Sequence, residues 1–572
     1  MSEQLVAGGE IRAADRAPAR SRIAAPGGLH RWTVAAVSAL GVLTLFLVFY
    51  RLSWTVPVNS DGAALVLQAW DMLHGNVLLH GWRLSDVSFY PTELPQYALI
   101  ETVLGPVPAV VHVAGAMTYT LVVLLAAILA KGRATGRAGL LRMLIAAGIM
   151  LASQPGGHAF LSGGVVLLDL SPDHIGTAVP LLATLLVIDR AGRRPWVPAA
   201  AGVLLAWALL ADQLVLGLGI VPLAAVCFVR AYRAVVVGRQ PVRSVRFEVA
   251  LALAALAAVP VAASALTIIH ASGGFTVYPV GDRLLTAGSL PGHLSATFEN
   301  LLILFGADFL GLRVGVTAAV AFLHLTGVAL AASAVWLGLR RFARASGRDA
   351  LVVEVMVVAI VVNLIAFVFS TKPGSAGGYS AREIVVVLPY SAVLAGRLLA
   401  ARLVSARLLP ALAVVLLGYV FTLAHGTVRP PQPADNQQIA AWLAARHLRY
   451  GLAGYWEANS VTLASGQRVR VRPVAPGLRG RVGPYPWESQ ASWYDRKHHD
   501  ANFVVLNPSH SNDQGVTYAR VVATFGNPAR TYLAGPYRVL VWHKNLLAGM
   551  GCGRSGGRAV QIGTSWSTLR CW

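Results

Sequence analysis

Eleven apolar runs, each close to the length of a helix that crosses a bilayer, constrain this sequence more than any other feature. A hydrocarbon core about 30 Å thick needs roughly 20 apolar residues in a helix. Cutting the runs at that length predicts spans near 32–52, 111–130, 138–153, 176–189, 197–215, 216–230, 248–269, 314–338, 350–370, 384–401 and 408–425. The runs at 138–153 and 176–189 are short. The stretch 94–130, interrupted by Pro106 and Pro108, reads either as one broken helix or as an interfacial helix followed by a span. With 56% hydrophobic and 13% charged residues over 572 positions, a water-soluble fold is excluded.

The charges set the orientation. Basic clusters fall on alternate connections: Arg16 to Arg31, Lys131 to Arg142, Arg190 to Arg194, Arg230 to Arg246, Arg340 to Arg348 and Arg397 to Arg407. Membrane proteins gather Arg and Lys on the cytoplasmic side, so this side is expected to be the cytoplasm, with residues 1–31 a short disordered cytoplasmic tail. The formal charge of +22 then has a membrane origin and does not call for nucleic acid. The first 22 residues carry four arginines and no apolar core, so no cleavable signal peptide is expected. Abundant Ala, Gly, Val and Arg with little Lys points to a GC-rich genome, and with it to the plasma (inner) membrane and a bacterial cell envelope.

The chain divides into a membrane portion, 32–425, with a long first external loop at 53–110, and a mixed polar region from 426, entered through Pro430, Pro431 and Pro433. Residues 426–548 are predicted to form a small extracytoplasmic α/β domain. Its helices are expected at Asn436–Arg449 and Val516–Phe525, and its strands at Val461–Leu463, Val469–Val474, Phe503–Leu506 and Tyr537–His543. The tail 549–572 is Gly-, Ser- and Arg-rich and reads as poorly ordered; in it Cys552 and Cys571 either pair in an oxidising compartment or stay free. Cys227 reads as an apolar filler within a span.

The opposite connections hold most of the acids, aromatics and prolines. In the first loop, Asn59-Ser60-Asp61-Gly62 opens an amphipathic run that ends at His74-Gly75. Ser60 is the expected N-cap, Gly75 the expected C′ residue, and Asp61 falls in the first turn, where the helix dipole favours its ionised form. Capping alone accounts for Asp61 equally well.

An acid just after the first span, opening a helix of the pattern Asp-Gly-Ala with a later Met-Leu-x-Gly, resembles the start of the GT-C integral-membrane glycosyltransferases, which include protein O-mannosyltransferases and the lipid A aminoarabinose transferase. The span count, the long first loop and the outer C-terminal domain match that family too. The resemblance implies a sugar carried on a polyprenyl phosphate, transferred on the extracytoplasmic side to a glycan, lipid or protein acceptor. It assigns the catalytic acid to Asp61. The family's usual Asp-Glu pair is Asp61-Gly62 here, so the second acid must come from elsewhere. Glu93, in a turn bracketed by Pro91 and Pro95, is the first candidate; Asp86 and Glu101 compete with it.

Further candidates are substrate-binding. Asp173 and His174 sit at the mouth of the fourth predicted span, placed either to hold a divalent cation or to position a hydroxyl, although a metal requirement is not fixed by two ligands. Asp212 interrupts an apolar run and is expected either to line a cavity near the outer end or to anchor the helix terminus there. Arg382, which opens the helix leading to Pro389, and Lys372 correspond in the resemblance to the cations that meet the carrier phosphate; a guanidinium fork and a helix N-terminus both suit that role, and the alternative is that Arg382 pairs with Glu383 or lipid headgroups. A transporter or flippase and a non-catalytic GT-C-like scaffold are the competing readings, and the absence of a clear inverted repeat weighs against transport.

Overall fold

The computed structural model describes residues 28–151, 174–278, 284–344, 350–375, 378–477, 480–508, 515–550, 559–562 and 565–568. Asp173, Cys552 and Cys571 lie outside them. The contacts divide the chain at Leu45, within the first helix α1 (Gly28–Ser53), and residues 46–572 form one unit.

Each of the eleven predicted spans has its helix. After α1 and the interfacial α2 (Ser60–Leu73) come α3 (Leu94–Leu104), α4 (Ala109–Lys131), α5 (Gly136–Met150), α6 (Ala178–Ala191), α7 (Val197–Ala211), α8 (Val221–Tyr232), α9 (Arg246–Ala271), α10 (Leu290–Leu304), α11 (Val316–Ala343), α12 (Leu351–Phe369), α13 (Val387–Ser405) and α14 (Leu409–Thr427). Among the described residues, nine helical stretches are long and apolar enough to cross a membrane. The two spans short of that length, α5 and α7, have 15 residues each. The stretch 94–130 is two helices, because Gly105 takes φ 68° and Pro106 and Pro108 follow it. Helix α10 had no expected counterpart.

Local chemistry sets the first loop. Asn59, not Ser60, caps α2, its side chain accepting from the Gly62 amide at 3.0 Å. Ser60 is thereby released to donate to the Tyr455 carbonyl at 2.5 Å, which ties the helix to the C-terminal region. Gly75 follows the helix with φ 98°, the left-handed stop expected of it. The loop then forms β1 (Trp82–Leu84), which pairs in parallel with β2 (Thr276–Val277) and antiparallel with β6 (Ser489–Gln490). Three segments hundreds of residues apart thus meet in one small sheet, braced by the Trp82–Trp493 ring contact at 5.0 Å.

The C-terminal region is an α/β layer. Its six-stranded sheet has the order β5-β4-β3-β7-β9-β8, with β3 (Tyr450–Ala453), β4 (Arg470–Pro476), β5 (Val482–Pro484), β7 (Phe503–Leu506), β8 (Arg530–Ala534) and β9 (Tyr537–Val541). Strand β3 runs parallel to β4 and β7, and the remaining pairs are antiparallel. Helices α15 (Gln437–Ala445), α16 (Tyr455–Ala464) and α17 (Tyr518–Phe525) pack with it. The strand expected at Val461–Leu463 is the last part of α16. Three apolar residues carry too little periodicity to mark a strand, and Thr462 is fixed helically by donating to the Ala458 carbonyl at 2.9 Å. In the tail, Ala559–Ile562 and Ser565–Thr568 pair as an antiparallel hairpin.

Candidate functional site

Asp61 stands in the first turn of α2, partly exposed, with α2 packed closely on α4: a Cβ on Gly62 would lie 3.2 Å from Val111. The acid facing Asp61 comes from the C-terminal layer. Tyr455, the first residue of α16, places its hydroxyl 2.5 Å from Asp61 Oδ1 and in hydrogen-bond contact with Glu488 Oε2. Glu488 is 2% exposed and sits at φ 45°, in the left-handed region, immediately before β6. The pairing of β6 with β1 holds it there.

A phenol has one proton, so it donates to one carboxylate and must accept from the other. Burial, and then the charge of Asp61, push the Glu488 carboxyl well above its usual range. Glu488 therefore keeps its proton and donates to the phenol, and the phenol donates to Asp61. Burial and the two acids likewise raise the Tyr455 hydroxyl. Aromatic rings wall this centre: Tyr485 meets Tyr455 edge-on at 5.8 Å, Trp487 meets Tyr278 at 5.1 Å, and the Arg83 guanidinium lies 5.2 Å over Tyr278.

A second cluster forms where α6, α7 and the segment before α13 meet. His174 Nδ1 lies 2.9 Å from Asp212, and its Nε2 lies 3.5 Å from Glu383. Asp212 ends α7 in an extended conformation and accepts from the Thr177 hydroxyl at 2.5 Å and the Leu214 amide at 2.9 Å. Glu383 accepts from Lys372 Nζ at 3.0 Å and pairs with Arg382 at 3.8 Å, while the Arg382 guanidinium lies 4.8 Å over Tyr379. Burial pushes the Glu383 carboxyl up, but His174, Lys372 and Arg382 outweigh it and hold it below the usual range.

Glu93 belongs to this second cluster. The first loop is pinned to the end of α7 by Ser88, whose hydroxyl donates to the Leu210 carbonyl and whose amide donates to the Ala211 carbonyl, both at 2.8 Å. The carboxylate of Glu93 then lies against Gly176, so close that a Cβ there would stand 1.6 Å from Oε1. Burial, with the Asp212 charge adding to it, pushes Glu93 up to about 7.

Asp86 connects the two clusters. Its carboxyl is raised by burial and feels His174, Lys372, Glu383 and Arg382, and it in turn adds to the lift on Glu488. Asp61, His174, Asp212, Glu93, Lys372 and Arg382 are thus all placed, but in two groups, and Glu488 rather than Glu93 shares a hydroxyl with Asp61. Glu101 is buried on α3. Among the described residues no three His, Cys, Asp or Glu side chains are arranged to hold a metal ion.

Sequence reasoning missed Glu488 and the link from Tyr455 to Asp61. The one available signal is an acid placed directly after Tyr485-Pro486-Trp487.

No protein-family model and no curated protein matches the sequence. The solved structure of ArnT from Cupriavidus metallidurans in the apo state aligns with a TM-score of 0.50 at 15% identity, covering 91% of this chain and 99% of that one. ArnT from the same organism bound to undecaprenyl phosphate aligns with a TM-score of 0.37 at 14% identity, covering 89% and 98%. At such identity it is the fold alone that is shared: apolar helices followed by an α/β layer, as in the apo ArnT structure.

Proposed function

We propose that the protein is a membrane glycosyltransferase that moves a sugar from a polyprenyl phosphate to an extracytoplasmic acceptor. The observation that carries this reading is the Asp61–Tyr455–Glu488 constellation. It pairs a partly exposed acid, able to act as a base, with a buried acid that retains its proton. Such a division between two carboxyl groups suits proton transfer near neutral pH.

In the reaction, the acceptor hydroxyl oxygen attacks the anomeric carbon of the donor, and its proton passes to the Asp61 carboxylate. The bond between that carbon and the donor phosphate oxygen breaks, and its electron pair leaves on the phosphate. Arg382 and Lys372, already gathered around Glu383, meet the charge that develops there. The aromatic wall around Tyr455, Tyr485 and Trp487 offers faces on which a sugar ring stacks. By the distribution of basic residues, the site faces the extracytoplasmic side of the plasma membrane and the N-terminus the cytoplasm.

A panel of radiolabelled polyprenyl-phosphate sugars, offered to the purified chain in lipid vesicles with membrane acceptors, tests this. Transfer of at least one sugar is expected, and Arg382→Ala is expected to raise the KM for the donor by roughly ten-fold or more, the loss of one charge-assisted contact. An unchanged donor KM in that variant would remove Arg382 from the phosphate site. Accumulation of intact donor across the bilayer without transfer would show a flippase instead.

A further inference from the structure

Several helices that carry the second cluster also lead to a cavity away from it. His174 precedes α6, Lys372 follows α12 and Glu383 precedes α13. Further along the same helices, Asp189 on α6, Val352 on α12 and Arg397 on α13 line a cavity of about 590 Å³. At 1.5 Å per residue this lies roughly 20 to 30 Å from the cluster, toward the opposite ends of these helices.

The lining is strongly basic. Among the described residues, six guanidiniums, from Arg133, Arg142, Arg193, Arg230, Arg341 and Arg397, line the cavity with two carboxylates, Asp189 and Glu248. Ion pairs account for part of this set: Arg397 with Asp189 at 2.8 Å, Arg193 with Glu248, and Arg230 with Glu354, which stands behind the wall, at 2.8 Å. With Glu354 included, the described residues set six guanidiniums against three carboxylates here. The turn after α4 also makes room for a cation: Gly132, at φ 55°, lies where a Cβ would come within 3.4 Å of the Arg397 guanidinium. Leu351, Val352 and Leu398 give the same cavity an apolar side.

We propose that this cavity is a binding site for a phosphate group, separate from the transfer site and served from the other face of the membrane. Guanidinium forks match phosphate oxygens in pairs. A basic pocket between membrane helices with an apolar side suits the headgroup of an anionic phospholipid, and a soluble phosphate carries the same recognised group.

The test uses the full chain in detergent, read by native mass spectrometry with phosphatidylglycerol, phosphatidylcholine and inorganic phosphate as probes. The wild type is expected to retain phosphatidylglycerol over phosphatidylcholine by roughly ten-fold or more, and Arg133→Gln/Arg341→Gln, at two exposed positions, to lose most of that preference. Should the double variant not fold, each single variant is expected to lose about three-fold. Displacement of phosphatidylglycerol by inorganic phosphate would identify a soluble phosphate as the natural ligand, and resistance to it a lipid headgroup; both outcomes keep the phosphate site. Equal retention of the two lipids with no binding of inorganic phosphate, or a wild-type preference in the folded variants, would overturn it.

Discussion

Tyr455 has one proton to place between two acids, and that fact decides how Glu488 responds to substitution. Because Glu488 is neutral in the folded chain, Glu488→Gln replaces a donor by a donor and is expected to keep most of the transfer activity, within roughly ten-fold. Glu488→Ala leaves the buried phenol without its partner and costs about 1 to 3 kcal/mol of stability together with most of the activity. Equal loss in both variants, measured as transfer rate on folded protein, would mean that Glu488 acts as an anion. Glu93 makes a pH prediction. It ionises near 4.5 when unfolded and near 7 when buried, so the folded state binds the extra proton between those values. The stability it contributes, on the order of 3 kcal/mol, is full below about pH 4.5 and is lost as pH rises through about 7. Glu93→Gln should flatten the fall in melting temperature across that window, and an unchanged slope would place the carboxyl in a more solvated setting.

At the scale of elements, the site depends on how short segments dock. The turn His174–Thr177 accepts Glu93 only because residue 176 has no side chain. Gly176→Ala is expected to displace Glu93 and lower stability by about 1 to 3 kcal/mol, seen as an earlier thermal transition; a wild-type transition would show that the loop has slack. The sequence made the helices legible because spans announce themselves by length and apolarity, and the expected cap at Ser60, one residue past the actual cap Asn59, together with the stop at Gly75 still placed Asp61 in the first turn. Asp212 was legible as a polar interruption of an apolar run, and His174 as a polar residue at the mouth of a span. Their meeting with Glu93 was not, since it depends on the docking of loop 53–110 on the end of α7. Glu488 was hidden for a similar reason: its position comes from a two-residue strand paired across the whole chain, and no local periodicity reports such a contact.

For the whole molecule, the C-terminal layer supplies part of the first centre, because α16 and β6 deliver Tyr455 and Glu488 to an acid some 400 positions earlier in the sequence. The membrane helices, for their part, supply Asp212 and bring Lys372 and Arg382 together about Glu383. Asp61, joined to Glu488 through one shared hydroxyl, is proposed to take the acceptor proton. The most direct test is sugar transfer by Asp61→Asn beside Glu488→Gln and wild type, as purified proteins in matched lipid vesicles with the same polyprenyl-phosphate donor. Transfer is expected to disappear in Asp61→Asn while the protein stays folded, and to persist in Glu488→Gln; full activity in Asp61→Asn would remove Asp61 from this role.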